Sequence, residues 1–358
     1  GRMTLGVALS FGLLAFFTVL VSQASAYTPP VVDAQGRVVP GSIASLERVN
    51  LNGSEQWISI RGQSTANPVL LWLSGGPGGS QLATARFHLG GLKERFVVNW
   101  EQPSSGKSYG AANHSALTPE RYIADSYALV QYLKGRFDEQ KVYLVGESWG
   151  AALGIWLAQR YPEQFHAFVG TGQMVGFIET EVYDYNFAMN LAKERGDTKK
   201  AAELERQGPP PYYGEGVIWK QANYLLDGFA YMNQDPKIAQ GGGFDTFKDL
   251  LSPEYGLYDK VNWARGVVDA GNVMFPQLWK ADVDFRRDAP RLEVPVYFLL
   301  GRHDVNAPPP LAEEYYKQLD APYKELVWFE RSGHNPWVDE ADRFVDVVNR
   351  VLTETYTK

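Results

Sequence analysis

The chain has 358 residues, 45% of them hydrophobic and 13% aromatic, enough to bury a substantial core as one large domain or a domain with an insertion. Its net charge of -7 is spread without a basic block, which argues against nucleic acid as a partner. With no cysteine there are no disulfides and no thiolate nucleophiles, and the five histidines show no metal-ligand spacing, so neither a metal nor a cofactor is expected.

From Met3 to Ala26 the chain is almost uncharged and long enough to cross most of a bilayer as a helix. Ala24-Ser25-Ala26 fits the small-residue pattern of a signal-peptidase site, against which stand an uncleaved lipid anchor and an arm buried in a partner subunit. Arg2 ahead of the run and the long polar chain after it favour export. Residues 1–26 are therefore expected to make the protein membrane-anchored, facing outside the cytoplasm, or secreted. Membrane contact through residues 3–26 and oligomerisation through the same segment are the alternatives.

After a proline-containing linker, 27–42, "LERVNLNGSEQWISIRG" alternates around Asn52-Gly53 and predicts a β-hairpin. Four short apolar runs follow, "PVLLWL", "RFVVNW", "KVYLVG" and "HAFVGTG", whose unbroken apolar character suits strands covered on both faces of a parallel sheet. Between them Thr118-Pro119 starts a helix with Ile123, Tyr127 and Val130 on one face. Strands alternating with helices predict an α/β class, a mostly parallel doubly wound sheet. The rhythm breaks between about Gln173 and Pro290, where charged helical segments alternate with Pro209-Pro210-Pro211 and Gly241-Gly242-Gly243, then resumes at "PVYFLLG" and "KELVWFE". The expected organisation is a core of 43–172 and 291–358 with a helical cap, 173–290, inserted.

Gly146-Glu147-Ser148-Trp149-Gly150 lies directly after one predicted strand and before the helix pattern "AALGIWLAQRYP", the context of a nucleophile elbow. A serine hydroxyl needs a base, and that base an orienting acid. Asp304 leaves "LLGRHD" and His334 leaves "RSGHNPW", each at the exit of a resumed strand, with Asp320 the fallback acid. His88, His114, His166 and His303 sit in less suitable places. Gly75, Gly76, Pro77, Gly78 and Gly79 follow a strand and allow backbone N–H groups of Gly75 and Gly76 to meet a developing oxyanion together with that of Trp149.

Gly-Gly-Pro-Gly after a strand, then "NWEQPSSGKSY", Gly-Glu-Ser-Trp-Gly, Gly-Arg-His-Asp and Ser-Gly-His together resemble the prolyl aminopeptidase (proline iminopeptidase) branch of the α/β-hydrolase fold, from about Ser42 to the C-terminus apart from the cap. The resemblance implies Ser148 as nucleophile, His334 as base, Asp304 as orienting acid, and an oxyanion hole near Gly75 and at Trp149. Ser74 stands where the family usually has histidine, and Glu101-Gln102-Pro103-Ser104 departs from its Asp-Gln-Arg-Gly. The family's Trp-x-x-Trp-Glu pattern, which carries an acid for the substrate amine, is missing from the cap. Glu179, Glu181, Asp184 and Asp227, with Glu147 beside the nucleophile, are substrate-binding candidates by charge alone.

The expected function is a serine hydrolase working through an acyl-enzyme, releasing an N-terminal residue from short peptides. A carboxylesterase on small esters and a non-catalytic binding protein with the same fold are the rivals. Catalysis needs His334 neutral, so kcat/KM should rise through a pKa near about 6.5, moved upward by Asp304. A profile flat from about pH 5 to 8 would refute the assignment of the base.

Overall fold

The structure, a computed structural model, describes residues 2–94, 96–239, 248 and 250–356. Eight strands form one sheet in the order β1-β2-β4-β3-β5-β6-β7-β8. They are β1 (Ile43–Leu51), β2 (Ser54–Gly62), β3 (Val69–Leu73), β4 (Phe96–Glu101), β5 (Val142–Glu147), β6 (Phe165–Thr171), β7 (Val296–Gly301) and β8 (Lys324–Phe329). The pairs β1/β2 and β2/β4 are antiparallel and the rest parallel. The hairpin turns on Asn52 (φ 52°) and Gly53 (φ 82°), the two positive φ angles that a two-residue primed turn demands.

The apolar strands are explained by burial on both sides. Val69, Leu71 and Leu73 of β3 join one core cluster, while Leu70 and Trp72 join another on the opposite face. The first face is covered by α3 (Pro119–Phe137), α4 (Trp149–Arg160) and α10 (Pro309–Gln318), the second by α2 (Leu82–His88) and α12 (Ala341–Thr355). Thr118 caps α3, its hydroxyl accepting from the Arg121 N–H at 3.1 Å.

Between β6 and β7 run α5 (Phe177–Glu194), α6 (Thr198–Gln207), α7 (Val217–Gln234), α8 (Leu257–Lys280) and the short α9 (Phe285–Asp288). No strand lies between Thr171 and Val296 among the described residues; Gly241-Gly242-Gly243 falls outside them. The two ends of this insertion are clasped by a one-bridge antiparallel ladder, Gly176 opposite Asp284. Phe177 N–H donates to Val283 O at 3.0 Å and Phe285 N–H to Val175 O at 3.1 Å.

The expectation for the N-terminal segment is corrected. It forms α1 (Arg2–Ala24), but among the described residues no helix is long and apolar enough to cross a membrane. Its C-terminal turn is built into the insertion instead: Gln23 Nε2 donates to Asp259 Oδ1 at 2.8 Å, while the Leu257 N–H donates to Ser22 Oγ at 3.0 Å and the Tyr258 N–H to Gln23 Oε1 at 3.1 Å. The expectation of a membrane-anchored or secreted protein, which rested on a crossing helix at 3–26, is corrected by the absence of such a helix among the described residues.

The crossing of β3, β5 and α4 leaves no room for side chains. A Cβ on Gly150 would lie 2.0 Å from the Leu73 carbonyl oxygen, and one on Gly146 would lie 2.3 Å from that of Gly150. Gly150→Ala is therefore expected to destabilise the protein by about 1–3 kcal/mol, read as a lowered urea midpoint at unchanged slope. An unchanged midpoint would mean that the crossing yields without cost.

Candidate active site

The elbow between β5 and α4 holds Ser148 at φ 55° and ψ -117°, a conformation a residue with a Cβ adopts only where its surroundings enforce it. The Ser148 N–H is tied to Thr171 O at 3.0 Å, and the glycines on either side admit the tight approach just described. Asp304 leaves the end of β7, its Oδ1 accepting the backbone N–H groups of Asn306 at 2.8 Å and Ala307 at 3.0 Å. Its Oδ2 lies 2.9 Å from Nδ1 of His334, which leaves the end of β8. A carboxylate only accepts, so Nδ1 carries the proton and Nε2 is the basic nitrogen of the neutral ring.

Ser148 and His334 line one cavity of about 240 Å³, together with Gly75, Gly76, Glu147, Trp149, Glu181 and Asp184. Met174, Phe177, Ile218, Leu225, Trp263 and Phe275 supply apolar wall, most of it from the insertion. No lysine or arginine is among the lining residues. His334 alone of the histidines lines the cavity. His88 packs edge-on against Trp337, His114 bonds to Tyr109 O, His166 stacks on Tyr143, and His303 bonds to Glu330 O. Asp320 is exposed beside Arg291 and plays no part.

Burial works against a charged His334, yet the charge and hydrogen bond of Asp304, with the charges of Glu147 and Asp339, hold its pKa above the ordinary imidazole value. Burial pushes the Glu147 carboxyl up, opposed by His334, by the side-chain amide of Gln81 and by the backbone N–H of Gly75. Gly75, Gly76 and Trp149, the expected oxyanion donors, all line the cavity.

The four acids of the insertion divide. Glu179 pairs with Arg286, and Asp227 with Lys200 at 2.9 Å; neither lines the cavity, a correction to their candidacy as substrate-binding residues. Glu181 takes hydrogen bonds from Tyr224 and, at 2.8 Å, from Gln221, with burial lifting its pKa to about 7. Asp184 is buried, and neither of its oxygens has a partner among the described residues. Burial, then the charges of Glu181 and Asp304, raise its pKa well above the ordinary 3.8. The signal that separates these acids is in the sequence: Phe177, Thr180, Glu181 and Asp184 fall at i, i+3, i+4 and i+7, one face of α5, and all four line the cavity.

Three residues make contacts that the sequence reading does not assign. Asn306 Nδ2 lies 3.1 Å from His334 Nε2. Gln81 Nε2 donates to Glu147 Oε2 at 2.8 Å. Gln102, in the stretch that departs from the family pattern, accepts from Trp149 Nε1 at 2.9 Å and donates to Ser74 O at 2.9 Å, joining the elbow to the glycine loop.

The model of the alpha/beta hydrolase family matches residues 70–347. A probable aminopeptidase of Bacillus subtilis is 29% identical over 324 residues, spanning 86% of this chain and 96% of the relative. A proline iminopeptidase of Lactobacillus helveticus is 29% identical over 315 residues, spanning 84% and 95%. The crystal structure of the proline iminopeptidase of Mycobacterium smegmatis superposes with a TM-score of 0.60 at 18% identity, over 87% of this chain and 98% of that one.

An unpaired buried carboxyl costs stability wherever it ionises. Because the folded pKa of Asp184 lies above its unfolded value, that cost is absent below the unfolded pKa and complete above the folded one. Asp184→Asn should raise the urea midpoint at neutral pH, the gain vanishing near about pH 3. No gain at neutral pH would mean that the charge is compensated.

Proposed function

Because the chain belongs to the alpha/beta hydrolase family and is a hydrolase, we propose that it is a serine aminopeptidase that removes the N-terminal residue of short peptides through an acyl-enzyme. The observation that carries this reading is Asp184: a buried carboxylate without a partner among the described residues, in the same cavity as Ser148 and His334, fits the ammonium of a free N-terminus. Glu181, three residues earlier on the same helix face, adds to the acidic character at that end, and no basic side chain competes.

Ser148 attacks the carbonyl of the first residue as Nε2 of His334 takes its proton, while Asp304 holds Nδ1 and stabilises the imidazolium. The oxyanion is met by the N–H groups of Trp149, which opens α4 without an acceptor inside the helix, and of Gly76. The imidazolium then gives its proton to the leaving amine. Water activated by the same nitrogen attacks the ester, releasing the amino acid and restoring Ser148. We read residues 173–290 as a cap roofing this cavity, which admits chain ends and excludes folded polypeptide. The names of the relatives put proline first among the residues to test.

The test is a paired assay on a prolyl arylamide with a free amine and on its N-acetylated form, with an aryl ester alongside. Ser148→Ala should lower kcat by about 10³-fold or more on every substrate cleaved. Asp184→Asn should raise KM about ten-fold or more for the free-amine arylamide and leave the N-acetylated and ester substrates unchanged. Equal effects on all three would remove Asp184 from amine recognition, and ester cleavage alone would make the protein a carboxylesterase.

A further inference from the structure

We propose that Glu147 is a positioning residue that joins the glycine loop after β3 to the catalytic histidine and sets the pH at which that histidine serves as a base. The inference rests on the serine hydrolase reading above and assigns a role that the triad does not contain.

Glu147 is the last residue of β5, directly before Ser148, and only 2% exposed. Its side chain turns away from the apolar core toward the cavity and spends its two oxygens in different directions. Oε1 lies 3.4 Å from Nε2 of His334, on the opposite edge of the ring from Asp304. Oε2 accepts from Gln81 Nε2 at 2.8 Å and lies so close to Gly75 that a Cβ there would be 2.3 Å from it. Gly75 is glycine because this carboxylate occupies the space of its side chain. The backbone N–H of Gly75 stabilises the same carboxylate, so one side chain fixes the start of the loop that carries Gly76.

The groups around Glu147 are donors: the Gln81 amide, the Gly75 N–H and, once protonated, Nε2 of His334. These donors oppose the burial that raises the Glu147 pKa, and the protonated His334 opposes it most, so the anion is favoured when the imidazolium forms. An anion beside Nε2 favours the imidazolium, which forms when Ser148 gives up its proton, and disfavours the free base that must exist beforehand. Asn306, the other neighbour of Nε2, carries an amide that can serve either form of the ring. The remaining charges near the ring are Asp304, 2.9 Å from Nδ1, Asp339 from α11 (Pro336–Asp339), and Asp184 with Glu181 across the cavity. Asp304 orients the base, and Glu147 sets how readily it gives its proton back.

The decisive pair of variants is Glu147→Gln and Glu147→Ala. Glutamine can keep the contacts to Gln81 and Gly75 through its carbonyl oxygen while presenting an uncharged amide to Nε2. The acid limb of kcat/KM on the arylamide cleaved by the wild type should move to lower pH by about one unit in both variants. The high-pH kcat of Glu147→Ala should fall about ten-fold or more below that of Glu147→Gln, because only alanine releases the loop. In a Ser148→Ala background, the Cε1–H resonance of His334 should report the same downward move when Glu147→Gln is added, independent of turnover.

An acid limb and a resonance that stay in place in Glu147→Gln overturn the proposal, as does an equal high-pH kcat in the two variants. Failure of the underlying reading looks different: either the wild type has no acid limb, or Ser148→Ala retains turnover.

Discussion

The site depends on one steric constraint, the contact between the backbone leaving β3 and the first turn of α4. Those two segments approach so closely that positions 146 and 150 admit only glycine, and the chain between them must turn within a few residues. Ser148 takes a strained, positive-φ backbone conformation at that turn. Its exposure to the cavity, the free N–H at the head of α4 and the nearness of the glycine loop are consequences of the same crossing. The parallel order of β3, β5, β6, β7 and β8 then brings the exits of β7 and β8 to the same edge of the sheet, so residues 148, 304 and 334 converge from distant parts of the chain.

Desolvation organises the chemistry laid over that frame. Glu147, Glu181, Asp184 and Asp304 are all buried, a concentration of acid that a folded chain avoids unless something positive is to be held there. Each is treated differently. Asp304 is satisfied by two backbone N–H groups and the imidazole, Glu147 by Gln81 and Gly75, Glu181 by Gln221 and Tyr224, and Asp184 by nothing among the described residues. The gradient from satisfied to unsatisfied runs from His334 toward the insertion, the direction in which the proposed reading lays a peptide with a free amine.

Much of this was legible in the sequence because the signals were local. Strands buried on both faces need unbroken apolar runs, a primed turn needs Asn-Gly, and a helix that starts at Thr-Pro announces its own cap. That Ser148, Asp304 and His334 each lie just beyond the end of a strand was readable for the same reason. The failures were of non-local information. The run from Met3 to Ala26 reads as membrane-bound on composition, which gives no sign of the hydrogen bonds of Ser22 and Gln23 to Leu257, Tyr258 and Asp259, more than 230 positions away. Four acids in the insertion looked equal by charge, although the face of α5 distinguishes Glu181 and Asp184 from Glu179 by spacing alone. That the Gly75 N–H serves Glu147 could not be read from a glycine-rich motif, because every N–H in such a loop is sterically free to turn.

The clasp at Gly176 and Asp284 has a further meaning. A segment of more than a hundred residues leaves and re-enters the sheet at one point, where two backbone hydrogen bonds close its neck. Closing a long loop costs little more than closing a short one, since the entropy grows only with the logarithm of length. The catalytic frame therefore experiences the insertion as a short connection between β6 and β7, whatever the neck encloses. Descendants of this fold could lengthen, shorten or exchange the insertion while Ser148, His334 and Asp304 kept their places.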